Sequence, residues 1–290
     1  MRNQLKTIVL LGMLSAVFVG LGALIGGQAL YLFAGLAAVM NVGAYFFSDR
    51  LVLKLHGASE VDEQRAPRLH AMVAELAVAA GIPKPRVAII PASYANAFAT
   101  GRNPSRGVVA VTEGLLSSMS ERELRGVVAH EIAHIRNRDI LVATIAATMA
   151  AAVAYLANAV QFAALFGGAS QDDEEGGSPM SALAVALFAS VGATLVQLGI
   201  SRSREFLADE TAARLTHDAE GLALALERLS APSAVPAGAP TPAMASLFIV
   251  NPLSGLSRLW QLFSTHPPVE QRVSRLRALD GRPRSWRLAA

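Results

Sequence analysis

Val127-Val128-Ala129-His130-Glu131-Ile132-Ala133-His134-Ile135 is the stretch from which the rest of this chain can be read. It holds an H-E-x-x-H pair in a helical setting. Ser120 with Glu123 reads as a capping box, after which Leu124, Val127, Val128, Ile132 and Ile135 recur at helical spacing. Residues four apart stand one above the other on a helix, so the imidazoles of His130 and His134 converge on one point with Glu131 beside them. That arrangement suits zinc, whose catalytic sites take three protein ligands and keep a fourth position for water, with a carboxylate nearby to take a proton. The competing reading is a chance match on a charged surface helix. Against it, Glu131 falls in the middle of the apolar stripe, where an unpaired carboxylate is too costly to leave.

Composition sets the surroundings. A chain of 290 residues that is 53% hydrophobic and only 16% charged departs from ordinary soluble proteins and reads as an integral membrane protein. Its formal charge of +3 comes without a basic stripe of interleaved aromatics, so neither nucleic acid nor nucleotide is expected as a partner. Affinity for an anionic lipid bilayer explains the surplus more simply. The absence of cysteine excludes disulfides and Cys-ligated metal sites, and it fits a reducing compartment.

Residues 7–48 carry no charge over 42 positions, with Gly26-Gly27-Gln28 near the middle. One crossing takes about 20 apolar residues, so two helices are expected, roughly 7–27 and 29–47, joined by a tight turn. A cleaved signal peptide is the alternative, but its apolar region spans only about 7 to 15 residues. Arg2 and Lys6 before the hairpin and Arg50 and Lys54 after it put both flanks in the cytoplasm. Residues 140–171 and 176–201 are uncharged runs of 32 and 26 residues around an acidic loop, Asp172-Asp173-Glu174-Glu175. They read as a second hairpin with its tip outside, with buried soluble helices as the weaker alternative.

Charge, Pro and Gly return between the hairpins. A helix is expected from Ala66-Pro67 to Ala80, closed by Gly81, with Leu69, Met72, Val73 and Leu76 in the core and His70 at the surface. Strands are expected at 86–90 and 107–111, with the 96–101 segment and a turn between them. An edge strand here could pair with an extended peptide through Asn96 and Ala97, and an ordinary hairpin fits the pattern equally well.

After the second hairpin, Glu205 is a candidate third ligand on a second helix, and Asp209, one turn on, could accept the free ring N–H of a ligating His. A solvated face of Glu and Arg at pairing distances is the bland alternative. Only an even number of crossings between 140 and 200 returns Glu205 to the side of His130. The predicted architecture is therefore a mainly α integral membrane protein with four transmembrane helices in two hairpins. A cytoplasmic α+β zincin-like domain with a small β-sheet is built from the segments between and after them. The units are 1–48, 49–139, 140–200 and 201–290, with both termini cytoplasmic. Residues 231–255 read as a loop. Pro267 and Pro268 open an amphipathic helix, and His266 just before them reads by itself as polar surface.

Taken in order, these segments resemble the HtpX-type membrane zinc metalloproteases, relatives of the CAAX prenyl endopeptidases. The likeness runs through the N-terminal hairpin, Asn96-Ala97-Phe98-Ala99-Thr100-Gly101, His130 to His134 with Arg138-Asp139, and the second apolar pair. It continues through Ser201-Arg202 to Glu205 and Asp209, and ends at Thr265-His266-Pro267. The resemblance implies one Zn2+ per chain on His130, His134 and Glu205, Glu131 as the catalytic carboxylate, and a role for His266 near the scissile bond. It further implies cleavage of misfolded or damaged membrane proteins at the cytoplasmic face of the inner membrane, as part of a stress response. A dedicated processing protease is the nearest rival within enzymes. A transporter is disfavoured because the spans carry no ionisable residue. A non-catalytic zinc-binding membrane scaffold is disfavoured because structural sites need four protein ligands and only three candidates are found.

Overall fold

The architecture is that of a computed structural model, which describes residues 2–25, 27–146, 148, 202–230 and 267–280. Two apolar helices come first, α1 (Arg2–Ile25) and α2 (Ala29–Leu55), packed along each other and joined through Gly27 at φ +57°. Asn41 Nδ2 donates to Ser15 Oγ at 2.7 Å between them. Among the described residues, Leu30–Leu55 is the one helix long and apolar enough to cross a membrane, and its partner carries the shorter apolar stretch Thr7–Gly20.

The expected end of the second helix near 47 is corrected: α2 runs on to Leu55. Nothing in residues 48–55 breaks a helix, and Val52 and Leu53, 2% and 7% exposed, have apolar surface to bury against. The boundary drawn between 48 and 49 therefore falls inside one continuous helix.

What Val52 and Leu53 bury against is a four-stranded sheet of β1 (Ser59–Glu60), β2 (Arg86–Ile90), β3 (Ala97–Thr100) and β4 (Val108–Thr112), in the order β1-β2-β4-β3. β2 and β4 are parallel, with Arg86 opposite Val108, and β3 is antiparallel to β4, with Ala97 opposite Val111, so β3 forms an edge. Successive strand residues face opposite sides. Ala88, Ile90, Phe98, Val108 and Ala110 meet Val52 and Leu53, while Val87, Ala97, Ala99, Val109 and Val111 join the main core. Burial on both faces explains why β4 reads as an unbroken apolar run rather than an alternation.

The main core is closed by helices. α3 (Pro67–Ala80) starts with Pro at its first position and stops at Gly81, φ +66°. Leu69, Met72, Val73 and Leu76 are buried as their spacing predicts. His70 is also buried, not at the surface, because its Nε2 donates to the Val61 carbonyl at 2.9 Å and satisfies an otherwise buried acceptor. After the short α4 (Glu113–Ser118), α5 (Glu121–Arg136) begins with both halves of the Ser120/Glu123 capping box in place. It packs against α3, β3, α6 (Arg202–Thr216) and α7 (Ala219–Ser230). α7 approaches α5 at Gly126, where a Cβ would stand 2.7 Å from the Leu222 backbone nitrogen. The last described helix, α8 (Val269–Asp280), lies on α6 and α7. Residues 140–146 are helical, where the second hairpin was expected to begin. The rest of that hairpin, the acidic loop, the 231–255 stretch and His266 lie outside the described residues.

Candidate metal centre

One face of α5 carries the H-E-x-x-H pair inward. The rings of His130 and His134 are 4.7 Å apart at 89° to each other, with their Nε2 atoms 3.2 Å apart. α6 brings Glu205 to the same point: its carboxylate oxygens lie 3.6 Å from His130 Nε2 and 3.4 Å from His134 Nε2. One ligand atom from each of the three residues falls within 4.8 Å of the others. The packing of α6 against α5 is what brings Glu205, 71 residues from His134, to this point.

Each ring has a carboxylate behind it. His130 Nδ1 stands 3.0 Å from Asp209 Oδ1, the partner expected from spacing along α6. His134 Nδ1 stands 3.5 Å from Asp139 Oδ2, an arrangement not foreseen from the sequence. Asp139 reaches it through the way α5 ends. Arg138 adopts φ +58°, its N–H bonds the Ile135 carbonyl at 3.1 Å, and the Asp139 N–H bonds the His134 carbonyl at 3.0 Å. This left-handed C-terminal closure folds the residue after Arg138 back over the last turn. Arg204 Nη1 completes the group, 3.5 Å from Asp139 Oδ1.

Arg272 of α8 is the largest member that sequence reasoning missed. It is fully buried and grips Asp209 with two bonds, Nε to Oδ2 at 2.8 Å and Nη2 to Oδ1 at 2.6 Å. The signal was present: Val269, Arg272, Val273 and Leu276 share helical spacing, which puts an arginine on an apolar stripe, as Glu131 is on α5. A buried cation there requires a buried anion.

The electrostatics follow from these contacts. Burial alone would lower the His130 pKa, but hydrogen bonds to Asp209 and Glu205 outweigh it and lift it to about 9. Burial works to raise the Asp209 carboxyl, and the Arg272 guanidinium reverses this, holding it at about 2. Glu131 is 5% exposed, and burial pushes its carboxyl up, opposed by His130, His134 and a hydrogen bond from the Ala99 backbone N–H. A donor set that holds a proton this firmly also attracts a metal cation, which displaces that proton. Glu131, Glu205 and Asp209 gather three buried carboxyls around the single buried guanidinium of Arg272, an acidic lining that suits a divalent cation. Two imidazoles and one carboxylate, with Glu131 beside them, fit a catalytic rather than a closed structural zinc site.

The edge strand lies next to this group. Asn96 exchanges bonds with Thr112: its N–H donates to Thr112 Oγ1 at 2.9 Å and its carbonyl accepts from the Thr112 N–H at 2.9 Å. With Asn96 turned to β4 and the Ala99 N–H turned to Glu131, the alternate residues Ala97 and Ala99 direct their backbone groups away from β4. Asn96 and Ala97 are 1% and 0% exposed, so a peptide reaching this edge has to displace what lies over it.

A profile of peptidase family M48 matches residues 63–280. The chain is 50% identical over 283 residues to a protease HtpX homolog of Syntrophobacter fumaroxidans, covering 96% of this chain and 100% of that protein. It is 48% identical over 276 residues to a protease HtpX homolog of Pyrococcus furiosus, covering 94% and 95%. With a protease HtpX homolog of Burkholderia thailandensis it shares 47% over 280 residues, covering 95% and 96%. Among solved structures, a crystal structure of S. mikatae Ste24p aligns with a TM-score of 0.49 at 17% identity, over 95% of this chain and 65% of that one.

Proposed function

The chain belongs to peptidase family M48 as an HtpX-type membrane metalloprotease, and from that premise we propose that it is a zinc-dependent endopeptidase of membrane-protein quality control. It acts at the cytoplasmic face of the plasma membrane, on segments of misfolded or damaged membrane proteins close to the bilayer. The observation that carries this reading is the convergence of His130, His134 and Glu205, with ligand atoms within 4.8 Å, while the buried Glu131 of the same helix stands beside them.

His130, His134 and Glu205 would hold the metal. Bound zinc supplies Lewis acidity, polarising a scissile carbonyl and lowering the pKa of a water. Glu131 would take a proton from the attacking water and pass it to the leaving amine, a role suited to a buried carboxyl whose pKa burial raises. The Ala99 N–H aims that carboxylate. Asp209 and Asp139 each face the outer nitrogen of a ring, which fixes the tautomer with Nε2 free to bind metal. Once what covers it is displaced, the backbone of Ala97, next to Asn96, would offer an extended peptide strand-like pairing with little demand on its sequence. His266, outside the described residues, is proposed to donate a hydrogen bond to the carbonyl oxygen as it gains charge.

Glu131→Gln tests the assignment. The variant is expected to keep one zinc per chain by elemental analysis and to lose peptide cleavage, whereas Glu205→Ala loses zinc at limiting metal. Full zinc occupancy in Glu205→Ala removes it from the ligand set. Proteins trapped by Glu131→Gln in cells report the biology: many unrelated membrane proteins support quality control, and a single one makes this a dedicated processing protease.

A further inference from the structure

The C-terminal half of α2 carries a cluster that the metal centre does not use. Tyr45, Phe46 and Phe47 are exposed at 38%, 48% and 53%, and Tyr31, at 79%, lies about four turns earlier on the same helix. Aromatic rings at both ends of an apolar span mark the two boundaries of a bilayer. The 26 residues of Leu30–Leu55 extend about 39 Å, longer than the ~30 Å hydrocarbon core, so the helix emerges near Arg50.

Arginines sit on these rings. The Arg50 guanidinium lies 5.9 Å from the centre of Phe47, and that of Arg102, from the turn after β3, lies 5.5 Å from the centre of Phe46. Lys54, one turn beyond Arg50, is exposed on the same face of α2. Nearby acids are engaged elsewhere: Asp49 and Glu60 both pair with Arg86. No ion pair to Arg50, Lys54 or Arg102 is found among the described residues. Rings that hold guanidiniums by their faces leave the N–H edges directed outward, where they match the oxygens of a phosphate.

We propose that Arg50, Lys54 and Arg102 form a headgroup site for an anionic phospholipid of the bilayer, which clamps the β3–β4 turn against the emerging end of α2. The site rests on the membrane-bound reading proposed above. Arg102 follows Gly101, where the close Arg106 carbonyl leaves no room for a side chain, and the turn is closed by the Arg106 N–H on the Asn103 carbonyl at 3.0 Å and by Ser105 Oγ on Asn103 Oδ1 at 2.7 Å. A lipid held at Arg102 therefore fixes the height of β3, and with it the Ala99 N–H that aims Glu131, above the membrane surface.

The test uses the full-length protein purified in detergent and examined by native mass spectrometry with added phosphatidylglycerol or phosphatidylcholine. Phosphatidylglycerol is expected to be retained on the order of a hundredfold more strongly, with the preference falling about fivefold for each cation removed in Arg50→Gln, Lys54→Gln and Arg102→Gln. Equal retention of the two lipids, or an unchanged preference in the triple variant, overturns the proposal. Full displacement of the lipid by millimolar inorganic phosphate also overturns it, since the site would then bind free phosphate rather than a membrane headgroup. Should the triple variant fail to fold, judged by circular dichroism and metal content, the wild-type preference must still fall steeply with salt, and a salt-independent preference refutes the site. Carbonate extraction of membranes separates this from the larger reading: release of the wild-type protein defeats the membrane-bound reading, whereas retention without lipid preference defeats the headgroup site alone.

Discussion

Around His130, each charged residue is intelligible only through its neighbour. Asp209 is buried because Arg272 neutralises it, and Arg272 is buried because Asp209 accepts two bonds from it. Truncating one partner of such a pair costs about 3 to 5 kcal/mol, because the other charge stays in a low dielectric alone. Arg272→Ala is therefore expected to lower stability by that amount and to weaken zinc binding about 10- to 100-fold, through loss of the group that orients Asp209 on His130. Arg272→Lys keeps the charge without the two-pronged geometry and should fall between. Chelator competition and denaturant unfolding measure both effects, and parental zinc affinity in Arg272→Ala would show that Asp209 needs no help to hold the ring. The His266 proposal concerns charge that develops only during reaction. Removal of a comparable donor elsewhere costs about 100- to 1,000-fold in kcat. For His266→Ala we expect normal zinc content, little change in KM and kcat lowered at least tenfold, with steady-state kinetics on a model peptide as the measurement.

At the scale of single elements, α2 does two jobs. Its first turns are apolar and exposed, whereas Val52 and Leu53 in its last turns are buried against Ala88, Ile90, Phe98, Val108 and Ala110. The His56 ring that follows is 4.9 Å from that of Phe98, so the helix end also touches the edge strand. Thr100, at the end of that strand, bonds Thr144 at 3.0 Å, which ties it to the helical stretch after Asp139. β3 is thus held at both ends by segments that lead into the apolar runs. A buried Leu→Ala change costs about 2 to 5 kcal/mol. Leu53→Ala should accordingly destabilise the metal-binding part of the molecule, read as a lower midpoint in thermal unfolding of the full-length protein. An unchanged midpoint would mean that α2 is only an anchor.

For the molecule as a whole, the two faces of the metal centre come from α5 on one side and from α6 and α8 on the other, separated in sequence by the second apolar stretch. Such a centre can assemble only if the chain returns to the same side of the membrane. The absence of native cysteine makes the proposed topology directly testable. Single cysteines replacing Ser59 and Ser264 should be protected from an impermeant maleimide in intact cells, and one replacing Ser170 should react. Labelling at Ser59 from outside would place the metal centre on the opposite face and refute the cytoplasmic assignment.

Sequence alone determined the features that depend on near neighbours. The capping box at Ser120, the four-residue step from His130 to His134, the inward position of Glu131 and the apolar runs are all set by helix periodicity or by length, and they are legible within a few turns. Glu205 and Asp209 were legible as candidates because they too sit one turn apart. The tertiary structure alone decided what depends on partners distant in the chain. Arg272 lies 63 residues from Asp209 and 142 from His130, and no local pattern states which anion its buried charge will meet. Asp139 reaches His134 only through the left-handed turn at Arg138, a conformation that an arginine does not announce. The burial of His70 and the extension of α2 past residue 47 depended in the same way on the Val61 carbonyl and the sheet that receive them. Periodicity specifies which side of an element is apolar; only packing specifies what that side meets.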